Sequence, residues 1–218
     1  MRIILSSLLL LCVSASYAQF ETGQKLLGGQ LSASFARTEN SSSPFANYSN
    51  NMFLNFSFSK FTSSLALKGI SVGYGYTFQH NFANDPVNDQ RAYQHTFNLS
   101  AYRTKLQPMV RNLYLAFTGS LNGSYGFGRT TNVVNSDSDL MYAAVGLSGS
   151  LGIWYRLSPR FILTGELANL VNLSYTHVQS DSPPYRRSRY NEDHISLAAG
   201  LSGTSFNSLA VGVRYLLK

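Results

Sequence analysis

Apolar and polar residues alternate along most of this chain with a period of two. In residues 68–78, Ile70, Val72, Tyr74, Tyr76 and Phe78 take every second position, and Gly69, Ser71, Gly73, Gly75 and Thr77 fill the positions between them. Successive side chains of a strand point to opposite faces, so this spacing predicts a strand with one apolar and one polar face. The pattern recurs over residues 27–37, 52–60, 92–105, 113–128, 145–155 and 161–175, with Asn169 and Leu170 out of step in the last. Two further blocks, 195–201 and 209–217, keep their apolar residues at odd positions and predict either one bulged strand or two. About eight strands are expected, and no helix.

The connections alternate in length. "TSS", "QPMVRN" and "LSPR" are short, whereas "TENSSSPFANYSNN", "QHNFANDPVNDQR", "TTNVVNSDSDL" and "HVQSDSPPYRRSRYNEDH" are long and polar. Short turns at one end and long loops at the other are the layout of a membrane-spanning β-barrel. Eight of the ten acidic residues lie in or beside the long connections, the exceptions being Glu21 and Glu166, so the predicted band between the ends is almost free of carboxylates.

Residues 1–18 read as a secretory signal peptide, with Arg2, an apolar run over residues 3–13, and small residues Ser16 and Ala18 around Tyr17. The run is too short for a spanning helix, which needs about 20 apolar residues. Cleavage after Ala18 removes Cys12 and leaves residues 19–218 as one domain without cysteine, so disulfides do not hold it together. Loss of Arg2 leaves sixteen basic residues against ten acidic ones, a charge of +6. That balance suits anionic lipid, and export argues against nucleic acid.

Alternation by itself also fits a soluble sandwich with its apolar face inward. The composition of the two faces favours the opposite orientation. The polar set is mostly Gly, Ser, Ala, Thr and Asn, which suits the narrow interior of an eight-stranded barrel. The apolar set carries large aromatic residues toward strand ends (Tyr93, Tyr125, Phe127, Tyr155, Phe161, Tyr175, Tyr215), where interfacial girdles form. Unpaired amides in hydrocarbon cost several kcal/mol, so the first and last strands must pair.

The hairpins "FSFSKFTSSLALKGISVGYGYTF" and "YRLSPRFILTGELANLVNLSYT", with the closing "AVGVRYLL", resemble the small outer-membrane β-barrel family of Gram-negative bacteria, the porin-family proteins, over residues 26–217. The resemblance implies a closed antiparallel up-and-down barrel in the cell outer membrane, with short periplasmic turns and long extracellular loops. It further implies that Gly212, Tyr215 and Leu217 form an assembly signal for the barrel insertion machinery. The chain differs from most members in ending on Leu217 and Lys218 instead of an aromatic residue.

Candidate chemistry is sparse. Glu166, Arg156 and Arg214 share the inward face near the short turns and are expected to pair as a structural charge cluster. Arg186, Arg187 and Arg189 lie in the last long loop, placed to grip the phosphates of lipopolysaccharide or other outer-membrane lipid. His80, His95, His177 and His194 lie near the outer mouth without ligand spacing, so no metal site and no cofactor is expected. The chain contains no Gly-x-Ser-x-Gly elbow and no strand-to-helix phosphate loop, so no enzyme activity is expected. The expectation is a monomeric structural or surface-interaction barrel, with a narrow solute conduit as the alternative and a lipid-modifying enzyme as the third reading.

Overall fold

The computed structural model describes residues 20–39, 45–83, 90–132, 137–182, 188–199 and 209–217. They form nine strands: β1 (Lys25–Glu39), β2 (Phe45–Ser63), β3 (Ala66–Ala83), β4 (Gln90–Val110), β5 (Leu113–Asn132), β6 (Ser138–Arg156), β7 (Phe161–Ser182), β8 (Ser188–Ala199) and β9 (Leu209–Leu217). Strands β1 to β7 pair antiparallel in sequence order. The far edge of β7 carries β8 along Val171–Ser182 and β9 along Phe161–Glu166, and β9 pairs with β1. The pairings therefore run in a ring of eight strands, and among the described residues β8 pairs with β7 alone.

The stagger of this ring follows from the registers. From Leu27, the paired residues Phe58, Ile70, Ala101, Leu121 and Leu147 lead to Leu173 on β7; the opposite way, through Tyr215, they lead to Phe161. Twelve positions separate those endpoints, and two of them, Leu167 and Leu170, are skipped at bulges, so the net stagger is ten. Eight strands with that stagger tilt by about 40° and enclose a radius of about 8 Å.

The break in alternation at Asn169 and Leu170 is one of these bulges. It lies where β8 gives way to β9. Between Ala199 and Ala210 the chain has ten residues, facing only four between Val171 and Glu166. The last stave is thus two collinear strands separated by an insertion, not one simply bulged strand.

The short turns fall at residues 64–65, 111–112 and 157–160, so only "LSPR" keeps its expected bounds, while β2 and β4 run on into "TSS" and "QPMVRN"; Asn112 is in the left-handed region at φ 63°. Asparagine tolerates that conformation better than most residues. The long connections are a correction. Most of "TENSSSPFANYSNN" belongs to β1 and β2, and the other three long connections likewise extend the flanking strands. Ladder hydrogen bonds persist outside the lipid whatever the side chains, so the polar stretches lengthen the hairpins instead of leaving them.

Large apolar side chains face outward: Ile70, Val72, Tyr74, Phe97, Leu99, Phe117, Leu121 and Val145 are all exposed, from 40 to 60%. An apolar surface of this extent around a ring is stable only against lipid.

Candidate functional site

The interior has two levels. Near the short turns, Phe20, Leu26, Phe61, Leu67, Leu106, Tyr114, Trp154, Ile162 and Leu216 turn inward and bury one another. Phe20 stacks on Phe61 with ring centres 4.4 Å apart and lies 5.4 Å from Tyr114. These side chains form an apolar floor in the lower lumen. Above it is a polar cavity of about 400 Å³.

The cavity wall is a ladder of small polar groups. Thr104 and Thr118 hydroxyls lie 2.9 Å apart, Ser120 and Ser148 lie 2.7 Å apart, and Asn122 Nδ2 donates to Ser148 at 2.9 Å. Higher up, the Tyr142 hydroxyl meets Thr96 Oγ1 at 2.6 Å. Glycine makes room for the rings that enter this space. A Cβ on Gly73 would lie 2.5 Å from Phe53 Cζ, and one on Gly126 would overlap the Tyr142 ring. The glycines of "GISVGYGYTF" thus seat an aromatic side chain as well as facing a lumen.

Glu166 and Arg214, two of the three inward charges expected to pair, line the lower part of this cavity. They do not pair. Arg214 Nη1 donates to the Tyr102 hydroxyl at 3.0 Å, and its guanidinium lies 4.5 Å from the Trp154 ring centre. Glu166 accepts from Gln30 Nε2 at 3.3 Å and from the Ser150 hydroxyl. Arg156 reaches the other side of the floor, 5.2 Å from the Phe20 ring centre, with Nη2 donating to the Pro159 carbonyl at 3.3 Å. The expected cluster is corrected to separate cations seated on aromatic rings and a carboxylate held by neutral donors. A flat guanidinium stacks well on an indole face, and amide and hydroxyl donors solvate a carboxylate without a cation.

The other predicted residues lie at the two ends. Arg186 and Arg187 are outside the described residues, and Arg189 pairs across from Asp181 in the β7–β8 register. Gly212 lies in tight quarters, where a Cβ would meet Thr164 Oγ1 at 2.7 Å and the Gly29 carbonyl at 2.8 Å. Tyr215 packs outward against Phe161, rings 5.2 Å apart, and accepts from Arg160 Nη1 at 3.2 Å. Leu217 ends β9 opposite Lys25.

The histidines do not converge. His95 lies outside the wall in an aromatic patch, sharing a hydrogen bond with Tyr74 at 2.6 Å and stacking on Phe127 at 5.2 Å. His80 lies beside Tyr48 and Phe78. Beyond the apolar belt, His177 Nδ1 donates to Asp193 at 2.8 Å, joined by the Tyr175 hydroxyl at 2.7 Å; His194 donates to Glu192 at 2.9 Å. The His177 bond, then the Tyr175 bond, holds the Asp193 carboxyl below its ordinary range; the Tyr190 hydroxyl, then His194, does the same for Glu192. Among the described residues no three potential metal ligands gather in one place.

The floor is the feature that sequence reasoning missed. Its signal was present: apolar doublets and triplets such as Leu26–Leu27, Phe161–Ile162–Leu163 and Tyr215–Leu216–Leu217 break the alternation at the short-turn end of three strands.

No protein-family model and no curated protein matches the chain. Among solved structures it is similar to the outer membrane protein OprG from Pseudomonas aeruginosa, at 12% identity and a TM-score of 0.53, over 93% of this chain and 99% of that one. It is also similar to a major outer membrane protein from Thermus thermophilus (9% identity, TM-score 0.47, 88% of this chain and 99% of that one). A third is Ail, the attachment invasion locus protein of Yersinia pestis (11% identity, TM-score 0.42, 90% and 99%). The likeness to OprG shows the fold. This chain has the fold of a small outer-membrane β-barrel, and its outward apolar belt fits that barrel to a lipid bilayer.

Proposed function

We propose that this barrel is a non-conducting structural and surface-interaction protein of the outer membrane. The observation that carries the reading is the apolar floor, where Phe61, Leu67, Leu106, Trp154 and Ile162 bury one another across the lower lumen. Water and ions do not cross such a layer. The hairpins at the opposite end continue past the apolar belt and carry charged pairs, among them Arg129–Asp137 and His177–Asp193. They are the part of the molecule offered to a partner, and catalysis is no part of the proposal.

The test is conductance of the refolded chain in a planar bilayer. The expected result is no stable ion-sized step, and discrete steps in the unaltered protein would overturn the reading. The polar cavity of about 400 Å³ favours the second reading, a narrow conduit, which those steps would support. Mass spectrometry of lipid A with and without the gene tests the third, an envelope-lipid enzyme, and unchanged lipid A is the expected result.

A further inference from the structure

The outward face of the barrel carries a row of cations that neither the lumen nor the long hairpins explain. Lys25 pairs with Lys60, Lys60 with Lys68, and Lys68 with Arg103, so four consecutive strands, β1 to β4, place a basic residue on one hydrogen-bonded line. All four lie on the same parity as the exposed apolar residues Leu27, Phe58, Ile70 and Leu99, and all are exposed. Lys105, two residues below Arg103 on the same face, is a fifth. Among the described residues none of the five has an ion-pair partner.

Like charges directly opposite one another destabilise a sheet, so a line of four calls for an external anion. Its level identifies the source. Each step across tilted strands rises by about 3 Å, so the line climbs by roughly 9 Å from Lys25 to Arg103, comparable to a lipid headgroup layer. Immediately above it begins the exposed apolar belt, and below it come the short turns. At the same end, β6, β7 and β9 carry Tyr155, Phe161 and Tyr215, aromatic residues typical of an interface. Long basic side chains at such a level bury their stems in the hydrocarbon and lift the charge to the headgroups.

We infer that Lys25, Lys60, Lys68, Arg103 and Lys105 form a binding surface for the phosphates of anionic phospholipids in the leaflet that meets the short-turn end. The surface covers β1 to β4 only. The barrel therefore gathers anionic headgroups on the β1–β4 side, away from the aromatic side where Tyr215 takes up Arg160.

The test uses the full folded chain in phosphatidylcholine vesicles, with spin-labelled phosphatidylglycerol or spin-labelled phosphatidylcholine as the probe at the protein boundary. The expected result is a preference for phosphatidylglycerol on the order of fivefold, the effect of about one cation's worth of headgroup attraction. It should collapse in 0.5 M salt and in the quadruple variant Lys25→Gln, Lys60→Gln, Lys68→Gln, Arg103→Gln. A control replacing Arg37, Arg91 and Arg129 at the opposite end by Gln should keep the preference. Equal association of the two probes with the unaltered chain overturns the inference. So does a preference that survives the quadruple variant, or one lost equally in the control, which would trace it to net charge alone. Heat-modifiable gel migration checks folding; if the quadruple variant fails to fold, Lys60→Gln with Lys68→Gln replaces it, and the preference must then fall by half or more.

Discussion

The lower and middle levels of the lumen are built by the same inward face of the same strands, yet one is a dry core and the other a polar cavity. At the floor, Leu26, Phe61, Leu67, Leu106 and Ile162 are at most 1% exposed and belong to one apolar cluster with neighbouring rings. One or two turns of the pleat higher, Ser120, Ser148 and Asn122 bond each other across strands around open space. Side-chain parity decides which way a residue faces. Height along the strand decides what it meets there, and in a barrel with a radius of about 8 Å those are separate variables.

The sharpest way to break the contrast is to empty the floor. Phe61→Ala removes a ring stacked on Phe20 and should destabilise the barrel by about 3–5 kcal/mol, read as a lower urea midpoint for the loss of heat-modifiable migration. Paired with Trp154→Ala, it should also produce conductance steps that the unaltered chain lacks, because the two levels then join.

Overfilling the middle level comes next. Gly126→Val places a branched side chain where the Tyr142 ring lies, and Gly73→Val does the same against Phe53. Each should destabilise by about 1–3 kcal/mol in the same assay. If Tyr142→Ala restores Gly126→Val, the loss comes from that ring and not from strand propensity.

Glu166 tests the border between the levels with a smaller effect. Its partners are Gln30 and Ser150 and not an arginine, so Glu166→Gln should change stability by less than about 1 kcal/mol. A loss of several kcal/mol would mean that a cation depends on this carboxylate after all.

The smallest effect lies outside the lipid. The bond from His177 holds the Asp193 carboxyl below its ordinary range, so the contribution of this group is present above that range and fades as pH falls through the lowered value. Both groups are exposed, so Asp193→Asn should lower the melting point only slightly at neutral pH. The difference should vanish in acid. A gap that widens on acidification would reverse the assignment.

Much of this was legible because lipid imposes a period of two. The strand positions, the outward orientation of Val72, Tyr74 and Phe117, and the turn at residues 157–160 all follow from it. Three things were not. The polar hairpin extensions have no apolar face, since both of their faces meet water, so residues 45–51 read as loop. The partners of Arg214 lie on β4 and β6, Tyr102 and Trp154, and closeness across a ring leaves no trace in local spacing. The floor was hidden for a simpler reason: at the strand ends apolar residues occupy both parities, and an alternation search counts those as noise.

The ring is fastened unevenly. β9 meets β1 over nine residue pairs and β7 over six, whereas β5 and β6 share eighteen. Pulled apart, the ring of eight should tear along β9 before any other of its seams. The strand that closes the ring would be the first to let go.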